Sequence, residues 1–153
     1  MKRMITALAS VLALTGLSAP GLAEVSKTET DPADVNIAGE WSFVANTGVD
    51  CTFSGNALLI ETEDPTRFDC ELTAVQVCST STWQVRQSCA ASQVNDSVVI
   101  VSEIEEFIQG EPNQGYRPDN FRLTIRSSDL MKGALISWGF HLAEFRRMEG
   151  TIS

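Results

Sequence analysis

From Gly39 onward, apolar and polar residues alternate with a period of two. In "FDCELTAVQVC", Phe68, Cys70, Leu72, Ala74 and Cys78 share one face, while Asp69, Glu71 and Thr73 share the other. Val75 and Val77 blur the far end of that run. "NFRLTIRS" alternates without exception, Phe121, Leu123 and Ile125 against Arg122, Thr124 and Arg126. This is the pattern of half-buried antiparallel strands. Runs of this kind lie at about 39–46, 50–60, 67–78, 82–93, 97–108, 120–127, 131–138 and 141–149.

The separators "NTGVD", "EDPT", "STS", "VND", "SSD" and "WGF" are turn-forming and short, so sequential strands are expected to pair as hairpins. A meander of eight strands either closes into a barrel or splits into two sheets. Closure is the expectation, because "GEWSFVAN" and "AEFRRME" would otherwise be exposed edges. The predicted fold is an all-β, eight-stranded antiparallel up-and-down barrel, without βαβ units or long helices. The alternation turns Trp41, Phe43, Phe53, Leu59, Phe68, Leu72, Trp83, Val85, Phe121, Leu123 and Ile125 inward. A barrel of this size holds either side chains or one small ligand. Side chains this bulky favour a filled interior.

The region before the strands has a different character. Lys2 and Arg3 precede an apolar run from about Ile5 to Leu17, followed by "SAPGLA" with small residues at Gly21 and Ala23. That order predicts a secretory signal peptide over 1–23, too short and too broken by Gly16, Ser18 and Pro20 to anchor the chain stably in a membrane. Residues 24–38, beginning "EVSKTETDPADV", read as a flexible segment, and 39–153 as the barrel domain. The chain has 153 residues and a net charge of −9. Removing 1–23 takes away two further positive charges. An acidic chain disfavours nucleic acid and anionic lipid as partners. The predicted location is periplasmic or secreted.

Four cysteines in an exported chain point to disulfides. Neither the spacing nor the remote His141, the only histidine, suits zinc. In an antiparallel hairpin, a turn centred on Asp64-Pro65 places Cys51 opposite Cys78. One centred on Ser79-Thr80 places Cys70 opposite Cys89. The expected bridges are therefore Cys51–Cys78 and Cys70–Cys89. Sequential pairing, Cys51–Cys70 with Cys78–Cys89, would centre turns near Ile60 and Trp83, which are poor turn residues. A bulge or a bridge across the barrel would still allow it.

Gly39-Glu40-Trp41 opening the first strand, with Arg146 and Arg147 in the last, resembles the calycin group. That group includes lipocalins, fatty-acid-binding proteins, avidins and small bacterial metalloprotease inhibitors. The resemblance implies that Trp41 closes the barrel floor and that Arg146 or Arg147 packs across it, a favourable cation–π arrangement. The layout is nearest to the periplasmic metalloprotease-inhibitor barrels, which are likewise exported, disulfide-bearing and preceded by a free N-terminal segment. In that family the segment enters the protease cleft. The lipocalin Thr-Asp-Tyr motif is not present.

No catalytic constellation emerges. His141, beside Trp138 and Phe140, reads as a packed or rim residue, and Glu61, Glu63, Glu105 and Glu106 as solvated carboxylates. No phosphate loop, dinucleotide fingerprint or calcium loop is found. The chain is expected to be non-enzymatic and to need no cofactor or metal. The connection "QGEPNQGYRPDN" over 109–120 is long among short loops, a trait often tied to function. It carries the only tyrosine, Tyr116, beside Arg117, the residue types richest in binding hot spots. Tyr116, Arg117, Asp119 and Asn120 are the candidate contacts. The expected function is binding through the barrel rim, of a protein partner such as an extracytoplasmic protease. The alternative is a carrier of a small apolar ligand inside the barrel.

Overall fold

The computed structural model describes residues 31–48, 50–110 and 115–149. The expected signal peptide and residues 24–30 lie outside the described residues. A short 3-10 turn, Pro32–Asp34, precedes eight strands: β1 (Gly39–Ala45), β2 (Cys51–Glu61), β3 (Arg67–Cys78), β4 (Thr82–Val94), β5 (Ser97–Gln109), β6 (Asn120–Ser127), β7 (Leu130–Ile136) and β8 (Phe140–Arg147). Each pairs antiparallel with the next, and β8 returns to β1 to close the barrel. The alternation of the sequence thus becomes an inside and an outside. Of the residues expected to face inward, Trp83 is half-buried and the others are buried.

One end of the barrel, the floor, carries the N-terminal approach and the turns after β2, β4 and β6. The other end, the rim, carries the turns after β1, β3 and β7 and the long connection after β5. Pairing is uneven around the wall. β2 runs against β3 along nearly its whole length, whereas β5 meets β6 only where Ser97–Ile100 faces Phe121–Thr124. Above Ile100 β5 follows β4 alone, with register shifts at Gln84/Val85 and Arg86/Gln87.

At mid-height the interior is aromatic. Phe43 of β1 stacks on Phe145 of β8, with ring centroids 5.0 Å apart. It meets Phe121 of β6 edge-on at 5.3 Å and lies 5.9 Å from Phe53 of β2. Room for the Phe43 ring comes from Gly55, its cross-strand neighbour. A Cβ at Gly55 would sit 2.4 Å from that ring and 2.1 Å from the Thr73 carbonyl oxygen.

Both bridges form as the hairpin registers require, Cys51–Cys78 and Cys70–Cys89, and each joins directly opposed residues. The first ties β2 to β3 at the rim and the second ties β3 to β4 nearer the floor. Closing loops of this size stabilises the fold by roughly 3–3.5 kcal/mol per bridge in the loop-entropy picture.

The floor is built around Trp41. Its indole is fully buried, and Nε1 donates to the Ile37 carbonyl at 2.9 Å. The Arg147 guanidinium lies over the ring, 4.4 Å from its centroid. It also donates to the carbonyls of Asn36 at 2.7 Å, Ser128 at 2.8 Å and Ala38. Arg147 succeeds where Arg146 cannot because Phe145 and Arg147 share the inward parity of β8. Arg146 points outward to Glu144 at 2.6 Å. Gly39, at φ +116°, provides the bend into β1, a conformation that L side chains rarely adopt. Burial lowers the Arg147 pKa, against the attraction of Asp129.

Of the segment expected to be flexible over 24–38, residues 31–38 are described. Val35 and Ile37 are buried beneath the floor, and Gln93 donates to the Val35 carbonyl at 3.0 Å. Two apolar residues at alternate positions form a short extended plug that continues the strand pattern, and the polar residues around them hid that pattern.

Arg147→Gln should lower stability by about 1–3 kcal/mol, since it leaves three carbonyls without their charged donor and removes the cation–π contact. Arg146→Gln should stay within about 0.5 kcal/mol of the parent, as exposed pairs contribute little. Denaturant unfolding of the two variants side by side measures this; equal losses would contradict the assignment of Arg147 to the floor.

Candidate functional site

At the rim end the interior turns polar. Gln87 of β4 and Ser102 of β5 hold inward positions and are buried, and Asp119 descends onto them from the connection after β5. Gln87 grips Asp119 twice: Nε2 donates to Oδ2 at 2.6 Å, and Oε1 accepts from the Asp119 backbone N–H at 2.9 Å. Tyr116 donates its hydroxyl to the same Oδ2 at 2.7 Å. Ser137, from the turn after β7, donates its hydroxyl to the Arg117 carbonyl at 3.0 Å, beside this carboxyl. Ser102 Oγ donates to the Asp119 carbonyl at 2.8 Å, and the Ser102 N–H donates to Asn120 Oδ1 at 2.8 Å.

A buried carboxyl is costly to ionise unless donors surround it. Burial pushes the Asp119 pKa up to about 6, against the opposing hydrogen bonds from Tyr116, Gln87 and Ser137. Burial, reinforced by the Asp119 charge, holds the Tyr116 phenol well above its ordinary value.

This network fixes one wall of an open recess of about 390 Å³, lined by Gln76, Cys78, Trp83, Gly115, Tyr116 and Trp138. Tyr116 is braced from behind by Phe107, edge-on at 5.5 Å. Trp138 is supported by the His141 ring at 4.9 Å, whose Nδ1 lies 3.2 Å from the Asn46 carbonyl. The recess therefore presents two indoles, a phenol ring and a disulfide. A larger hollow at the floor, about 430 Å³, lies between residues 33–36 and 61–68. Its carboxylates Asp34, Glu61, Glu63 and Asp64 are exposed, and Asn36 bonds Glu61. Among the described residues it has no buried polar network of its own, so the rim recess is the better-built site.

The four candidate contacts have separate roles here. Tyr116 lines the recess. Arg117 is exposed beside it. Asp119 is buried, and the half-buried Asn120 accepts from the backbone N–H of Ser102 in β5. Gln87, Ser102 and Ser137 were not singled out from the sequence. The signal was present in Gln87 and Ser102, polar residues at inward parity between Val85 and Ala91 and after Ile100. Glu105 and Glu106 lie exposed on the outer wall, both facing Arg86.

No protein-family model matches the chain, and no curated protein sequence does. Among solved structures, a redesigned β-barrel superposes with a TM-score of 0.52 at 13% identity, covering 80% of this chain and all of the neighbour. A de novo designed fluorescence-activating β-barrel gives a TM-score of 0.49 at 18% identity, covering 78% of this chain and 99% of its own. The first likeness shows the barrel architecture and nothing finer. With its two disulfides, the chain suits an oxidising, extracytoplasmic environment.

The raised Asp119 pKa has a definite sign. The folded state holds this proton more tightly than the unfolded chain, so Asp119's contribution is fully present below about pH 4 and is lost as pH rises through about 6. The loss is on the order of 3 kcal/mol. Asp119→Asn should remove that slope. Unfolding free energies of parent and variant between pH 4 and 7.5 give the comparison, and parallel curves would refute it.

Proposed function

We propose that the chain is an exported, non-enzymatic binding protein that takes its partner at the barrel rim, in the recess between Trp83, Tyr116 and Trp138. The observation that carries this is the buried Gln87–Asp119–Tyr116 network. It holds an aromatic side chain of the longest connection in a fixed pose at an open mouth. Pre-positioned aromatic groups contribute large contact area with little ordering cost on binding, which is why tyrosine, tryptophan and arginine dominate hot spots. Arg117 adds a charged, solvent-facing neighbour. A protein partner offering an apolar or aromatic side chain fits this recess.

The finer reading, a protease inhibitor of the calycin kind, draws on the floor architecture of Gly39, Trp41 and Arg147. On that reading, the N-terminal segment 24–38 would contact the protease. A single partner meeting both the N-terminal segment and Tyr116 is disfavoured, because Val35 and Ile37 are docked at the end opposite the rim.

The second reading is a small apolar ligand. The interior gives it little support, since Phe43, Phe53, Phe121 and Phe145 occupy the cross-section. The rim recess is large enough for a compact ligand.

Affinity purification of the tagged chain from its native extracytoplasmic fraction should recover a stoichiometric protein partner. Trp83→Ala and Tyr116→Phe bracket the recess: the first should weaken capture about tenfold or more, while the second keeps the ring and should weaken it less. Capture unaffected by Trp83→Ala would overturn the rim assignment, and a small molecule found by mass spectrometry in place of a protein would favour the second reading.

A further inference from the structure

The net charge of this chain is unevenly distributed. The outward faces of β6, β7 and β8 carry Arg122, Arg126, Lys132 and Arg146 against the single acid Glu144, whereas β2–β5 carry six acids against Arg67 and Arg86. The floor turns and flanks are acidic too, with Asp31, Asp34, Glu63, Asp64, Asp96 and Glu149 exposed. Among the described residues of the rim loops, the exposed charges are Asp50 and Arg117.

The basic wall ends at the rim in an apolar corner. Phe140 is 80% exposed, Leu142 79%, Trp138 62% and Val44 57%. Trp138 and Phe140 are the exposed large aromatic side chains among the described residues, and both belong to the β7–β8 hairpin tip. Cross-strand register orders this corner by height. Nearest the rim, Ile136 pairs with Phe140. One row below, Arg122, Ala134 and Leu142 lie side by side. In the next row Lys132, Glu144 and Val44 are neighbours, and Arg146 is in the row beneath. Rows on one face of a strand are about 7 Å apart, so the apolar zone reaches about 7–14 Å from the tip.

We propose that this corner docks onto an anionic lipid bilayer, with Trp138, Phe140 and Leu142 entering the interface and Arg122, Lys132 and Arg146 at headgroup level. The apolar depth is close to the ~5–10 Å to which interfacial elements bury, and bases just behind an apolar tip meet anionic headgroups. A protein-binding patch is ringed by polar residues on all sides. Here, among the described residues, the charged side chains nearest the corner are the bases Arg122, Lys132 and Arg146 with Glu144, all on the side away from the tip, while Asn46 and Ser54 flank it as neutral groups. The acidic floor and the β2–β5 wall are repelled by the same surface and so orient the molecule. This revises the expectation from net charge alone that anionic lipid is disfavoured. The proposal does not depend on the rim recess having a ligand.

The test uses the processed chain recovered from an exporting host, its N-terminus verified by intact mass, with vesicles of phosphatidylcholine alone or mixed with phosphatidylglycerol. Co-sedimentation should show binding to the mixed vesicles that weakens with salt. Phe140→Ser combined with Leu142→Ser should reduce partitioning about tenfold or more, and Arg122→Gln with Arg146→Gln should reduce it and flatten the salt dependence. These side chains are exposed, so the variants should unfold at the parent's denaturant midpoint. No binding to mixed vesicles, or binding that the Phe140/Leu142 variant retains, would overturn the proposal. So would a concentration-dependent dimer that the same variant dissolves, which would assign the corner to a second copy of the chain.

Discussion

A barrel made of hairpins has two open ends, and this one depends on how the floor is sealed. The Arg147 guanidinium lies over the Trp41 indole and binds carbonyls of the N-terminal approach and of the turn after β6. One side chain from the last strand thus joins the first strand, the segment before it and a turn two strands away. An aromatic face attracts a cation most strongly when both are withdrawn from water. Val35 and Ile37 provide that withdrawal by covering the site from below. The floor is consequently the place where the two ends of the described chain are locked together.

The rim end solves the same problem with different chemistry. Where the floor uses an indole and a guanidinium, the rim uses Gln87, Ser102 and Asp119, whose hydrogen bonds are nearly all made to one another or to the backbone. A polar cluster of this kind is stable only when each member finds a partner. Aromatic packing between the two ends separates them, so the rim can present Tyr116 and Trp138 to solvent without loosening the core. Architecture at one end and recognition at the other is the division of labour that the proposed function relies on.

Much of this was legible in the residues. Strict alternation in "NFRLTIRS" and "FDCELTAVQVC" predicts strands, and turn chemistry at Asp64-Pro65 and Ser79-Thr80 sets registers that bring the cysteines opposite each other. Backbone pairing is local information, and short hairpins encode it locally. What was not legible involves residues distant in the chain. Gln87 and Asp119 are 32 positions apart, and nothing near either one announces the other. Arg146 and Arg147 were indistinguishable until the parity of β8 was fixed. Val35 and Ile37 looked like a polar leader because two apolar residues are too few to show a period. The charge asymmetry between walls was hidden because net charge carries no direction.

The short contact between β5 and β6 gives the molecule a mechanical character. Along β2, β3 and β4 the strands are paired at length and cross-linked by both disulfides, so that half of the wall behaves as one stiff plate. Across from it, β5 is joined to β6 over four residues, and above them the Asn120 side chain stands in for the missing ladder by accepting from Ser102. Elastic strain in a closed ring concentrates where the ring is thinnest. Breathing of the barrel should therefore take place at this seam, with Asp119 and Asn120 as its clasp. The residues that pose Tyr116 are then the same ones that keep the cylinder shut.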